Sequence, residues 1–146
     1  MKPILLCFAL ALMLQASAQL QKTEIPKTTT VGKLKRGGIT MGELSYAVPV
    51  KDTLYFLDYD NQEYKRIKKN ETVSFKETGG VCNGLYQMFA DAMDKAKGEE
   101  TAFKLGEDDF YIKTTATLGA KVLYVAVTGK GTFNITRKEL DRLFNK

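Results

Sequence analysis

From Ile39 to Val48 the chain reads ITMGELSYAV, with a period of two: Leu44, Tyr46 and Val48 fall on one face, Glu43, Ser45 and Ala47 on the other. That alternation predicts a half-buried strand. The next run, TLYFLDY at 53–59, is apolar on both faces until Asp58 and predicts a central strand. ETVSFKE at 71–77 alternates again, with Val73 and Phe75 inward, and VGKLKR at 31–36 predicts a short edge strand ended by Gly37-Gly38. The charged connection DNQEYKRIKKN (60–70) has room for one short strand.

At Gly79-Gly80 the period changes. Val81, Leu85, Met88, Phe89, Ala92, Met93 and Ala96 recur at three- and four-residue steps, which predicts an amphipathic helix over 81–97 with Gly98 as its stop. Strands return at 101–106, 110–115, 122–127 and 132–135, the last two joined by a tight Thr128-Gly129-Lys130-Gly131 hairpin. Thr136 and Glu139 have capping-box spacing, and Leu140, Leu143 and Phe144 form the inner face of a terminal helix.

Short connections make sequential strands pair antiparallel. The pattern therefore predicts an α+β fold: a single curved antiparallel sheet of about six to eight strands packed on one long amphipathic helix, with a short C-terminal helix. If the long helix covers Leu54 and Phe56, alternation turns Tyr55, Leu57 and Tyr59 outward as an exposed aromatic row.

The ends narrow the setting. Lys2, the apolar run ILLCFALALML (4–14) and Ala16-Ser17-Ala18 have the layout of a secretory signal peptide cleaved after residue 18. The expected organisation is a signal peptide at 1–18, a flexible polar leader at 19–30 and a single α+β domain at 31–146. The expected location is periplasmic or secreted, without a membrane span after cleavage.

Composition removes whole chemistries. The chain has 146 residues, a formal net charge of +5, two cysteines and no histidine. Lacking histidine, it has no Ser-His-Asp triad and no His-dependent zinc site. Cys7 lies in the signal, so Cys82 alone remains and no intramolecular disulfide or Cys-X-X-Cys pair is possible. Cys82 sits where a helix N-terminus favours a thiolate, but with no imidazole base it reads as a small packed side chain. DYDNQEY (58–64) fails the EF-hand pattern, because its sixth and twelfth positions hold Glu63 and Lys69. Gly129-Lys130-Gly131-Thr132 lacks the earlier glycine of a phosphate loop and leads into a strand.

No catalytic residue, metal site or cofactor is expected. The leading expectation is a small exported non-catalytic binding or interaction module at the bacterial envelope. The alternatives are a histidine-free hydrolase or isomerase using carboxylates such as Asp58, Asp60 or Asp109, and a structural oligomer pairing through an exposed strand edge such as 31–36. The candidate binding residues are Tyr55, Tyr59, Lys65, Arg66, Lys68 and Lys69. They suit a protein or an anionic envelope component, and export argues against nucleic acid.

Overall fold

A computed structural model describes residues 26–49, 51–64, 67–117 and 119–146. The expected signal peptide, residues 19–25 of the expected leader, and Lys65 and Arg66 lie outside these residues.

The elements run β1 (Thr29–Arg36), β2 (Ile39–Ala47), β3 (Leu54–Asp60), β4 (Asn70–Lys76), α1 (Val81–Asp94), β5 (Glu100–Leu105), β6 (Asp108–Thr117), β7 (Ala120–Val127), β8 (Gly131–Ile135) and α2 (Arg137–Phe144). They form two four-stranded antiparallel sheets, in the orders β1-β2-β3-β4 and β5-β6-β7-β8. The single six- to eight-stranded sheet on one long helix is thereby corrected. Short connections fix pairing within each meander, but α1 separates β4 from β5, and those two strands do not pair.

The order of elements is four strands and a helix, twice over. Each helix packs principally on the meander that did not lead into it: α1 on β6 and β7, α2 on β1 and β2. One continuous core results. It joins Leu44, Leu57 and Val73 of the first sheet to Ile112, Leu123 and Val125 of the second through Phe89 and Met93 of α1 and Leu140 and Leu143 of α2.

Helix α1 ends at Asp94, short of the expected residue 97. The Ala92 carbonyl accepts from the Thr114 hydroxyl and the Lys95 N–H, and Lys95 is extended. With that carbonyl occupied, the next turn does not form, and Ala96 is exposed. Helix α2 begins with the expected capping box: the Thr136 N–H donates to Glu139 Oε2 at 2.8 Å, and the Glu139 N–H donates to Thr136 Oγ1 at 3.4 Å.

Of the glycines that permit close approaches, Gly32 and Gly131 seat one element on another. A Cβ on Gly32 would lie 2.1 Å from the Arg142 carbonyl oxygen and 2.5 Å from that of Leu143, so α2 rests directly on the β1 backbone there. Gly131 has φ +77°, and a Cβ on it would lie 2.0 Å from the Asn61 side chain. The first contact seats α2 on the first sheet, and the second seats the β3–β4 loop on β8.

Candidate functional site

The β3–β4 loop is anchored by Asn61, which is 3% exposed. Its Oδ1 accepts from the Glu63 N–H at 3.0 Å and from the Thr132 N–H at 3.1 Å, and its own N–H donates to the Lys69 carbonyl at 2.8 Å. An asparagine side chain that captures the backbone two residues on makes a tight turn. The Gln62 N–H donates to the Thr132 carbonyl at 2.7 Å, and Gln62 Oε1 accepts from Asn134 Nδ2 at 3.0 Å. These bonds fix the loop across β8 and carry Tyr64 over the outer face of the second sheet.

That face presents Tyr111 and Tyr124. Phe110, Ile112, Leu123 and Val125 point into the core, so alternation turns the two tyrosines outward. Tyr111 sits opposite Ala102 on β5 and Ala126 on β7, small neighbours that leave its ring open. Lys113 Nζ lies 5.4 Å from the centre of the Tyr124 ring.

Two open grooves meet at Tyr64. The first, about 600 Å³, runs between Tyr64 and Lys69 on one side and Tyr111, Tyr124 and Thr132 on the other. The second, about 470 Å³, lies between Tyr64, Ile67 and Lys68 of the loop and Ile39 and Met41 of β2. Asn61 and Tyr64 line both. Among the described residues six large hydrophobic side chains are exposed, and four of them line these grooves: Ile39 (58%), Tyr64 (49%), Ile67 (67%) and Tyr111 (55%). The others, Val48 and Met88, line neither groove.

The residues expected from sequence divide. Lys68 lines the second groove and Lys69 the first, with Lys69 Nζ 2.6 Å from Glu71. Lys65 and Arg66 lie outside the described residues. Tyr55 and Tyr59 face inward. Tyr55 stacks on Phe75 at 5.4 Å between ring centres, and Tyr59 is buried against Phe133 at 4.5 Å. The Tyr59 hydroxyl donates to the Lys130 carbonyl at 3.1 Å. Burial, then the carboxylates of Glu71 and Asp108, push its phenol well above the usual range. The outward row is instead Leu54, Phe56 and Asp58. Register explains the inversion: Tyr55 is paired with Tyr46 and Phe75, and Leu57 with Leu44 and Val73, so β3 adopts the inward parity of its neighbours.

The remaining chemical candidates do not converge. Cys82 is half-buried against the core, and burial, then the Glu77 carboxylate, push its thiol up. Glu77 Oε2 accepts from the Cys82 N–H at 3.0 Å, so a carboxylate occupies the end of the helix where a thiolate would be favoured. Asp58 accepts from the Thr72 hydroxyl on the first sheet, whereas Asp109 lies 3.6 Å from Lys104 on the second. Among the described residues, no group of three or more histidine, cysteine or carboxylate side chains could hold a metal ion. No described helix is long and apolar enough to cross a membrane.

Compared with known proteins, the chain matches no family model, no curated protein and no solved structure.

Proposed function

We propose that this protein is an exported, non-catalytic interaction module of the bacterial envelope that binds a protein partner through the two grooves flanking Tyr64. One observation carries the reading: among the described residues, four of the six exposed large hydrophobic side chains fall in those adjoining grooves. Scattered exposed apolar residues need no explanation, but a contiguous group marks an interaction surface. Its composition favours protein. Ile39 and Ile67 suit aliphatic side chains, while Tyr64 and Tyr111 are the kind of amphipathic ring that anchors interfaces. Export is proposed from the N-terminal sequence alone.

The test is affinity for a partner retained by the tagged protein from its native envelope. Tyr64→Ala and Ile67→Asp are each expected to weaken binding about tenfold or more, the loss of an interface anchor. Met88→Ala, an exposed apolar residue away from both grooves, is expected to leave affinity unchanged. Equal affinities for all four proteins would place the binding surface elsewhere.

A further inference from the structure

Four strands form the edges of the two sheets, and three are obstructed. On β8 the Thr132 N–H and carbonyl are taken by Asn61 and Gln62, and the Asn134 carbonyl accepts from Arg36 at 2.7 Å. On β4 the Thr72 carbonyl accepts from Lys130 Nζ at 2.8 Å, and a Cβ on Gly106 would lie 2.9 Å from the Ser74 carbonyl oxygen. β1 is interrupted by two register irregularities, between Thr30 and Gly32 and between Leu34 and Lys35, which break the regular edge a partner strand would need. β5 has neither device. It pairs with β6 in unbroken register from Glu100↔Lys113 to Leu105↔Asp108, and among the described residues no other backbone hydrogen bond reaches it.

We propose that β5 is a self-association edge, on which a second copy of the chain pairs antiparallel about Ala102. Directly opposite residues in an antiparallel pair are either both hydrogen-bonded across it or both not. A symmetric β5–β5 pair must therefore be centred on a residue. Centring on Ala102 sets Glu100 of each copy opposite Lys104 of the other.

Charge selects that register. Within one copy Glu100 lies 3.2 Å from Lys113, and Lys104 lies 3.6 Å from Asp109. Across the interface each row reads Lys113 and Glu100 of one copy, then Lys104 and Asp109 of the other. The sign alternates over four strands, and symmetry repeats the row. Between the rows the two Ala102 residues meet, with the exposed Tyr111 of each copy beyond them. Centring on Phe103 instead sets Ala102 opposite Lys104 and loses the pairing of opposite charges.

The experiment is sedimentation velocity of the purified protein over a concentration series. The native sequence is expected to dimerise. Glu100→Lys and Lys104→Glu each set like charges face to face twice and are expected to weaken dimerisation about tenfold. An equimolar mixture of the two variants is expected to recover it, because one chain then offers two lysines and the other two glutamates. Thermal melts confirm that each variant is folded. A native protein that stays monomeric to its solubility limit overturns the proposal. So do variants that dimerise like the native chain, or a mixture that fails to recover.

Discussion

Gly32 and Gly84 make a contrasting pair. At Gly32 the α2 carbonyls occupy the volume a side chain would need. Backbone cannot move aside as a flexible side chain can, so Gly32→Ala is expected to cost about 2–4 kcal/mol, measured by urea denaturation. Gly84 is an exposed position on α1, and a Cβ there would meet nothing within 4 Å. Gly84→Ala is expected to stabilise by about 0.5–1 kcal/mol in the same assay, through helix propensity alone. Cys82 supplies a test without substitution. Burial, then Glu77, raise its thiol pKa, so less thiolate is present near neutrality than in the unfolded chain. Alkylation by iodoacetamide at pH 7.5 should be several-fold slower in the native protein than in urea. Equal rates would show that Cys82 is open to solvent and reactive.

Helix α2 is tied to the β1–β2 hairpin through Glu139. Its carboxylate accepts from Arg36 Nε at 2.7 Å and Nη2 at 3.0 Å while serving the capping box. Burial opposes ionisation, but the bonds from Arg36 and Thr136 outweigh it and hold the carboxyl below its ordinary pKa. A lowered folded-state pKa contributes stability that is complete above the unfolded glutamate value and is lost as pH falls through the folded one. Glu139→Gln keeps a cap but not the charge, so it should cost ~1 kcal/mol at pH 7. That gap should narrow as pH drops below about 4; urea melts at pH 7 and pH 3 measure it, and a constant gap would remove the charge from the explanation. The Thr136–Glu139 cap was legible in sequence because it is local. The eight strands among the described residues and the buried positions Leu85, Phe89, Ala92 and Met93 were legible from periodicity for the same reason, whereas Met88, expected on the same stripe, is exposed. The parity of β3 was not, because an apolar run on both faces leaves orientation to Leu44, Val73 and Phe75 on neighbouring strands. The groove was half legible. Phe110 and Ile112 inward imply Tyr111 outward, but nothing local places Tyr64 beside it, since Asn61 makes that junction with Thr132, 71 positions along.

The exchange of helices between the two meanders governs how the whole molecule loses its structure. A meander carrying its own helix could open alone. Here α1 covers β6 and β7 while α2 covers β1 and β2, and both feed one core. Opening either sheet therefore exposes a helix that the other half of the chain leads into. Such coupling predicts a single cooperative transition, with far-ultraviolet and near-ultraviolet circular dichroism tracing the same denaturation curve. Phe89 tests the coupling most directly. It is fully buried on α1, with its ring 6.2 Å from Phe103 of the second sheet. Truncating it to alanine should cost about 3–5 kcal/mol. If the sheets form one cooperative unit, amide hydrogen exchange should accelerate equally at Leu57 and Val73 of the first sheet and at Leu123 and Val125 of the second. Slow exchange that persists in the first sheet alone would show two units that fold separately, and the exchanged helices would then be a packing arrangement without energetic coupling.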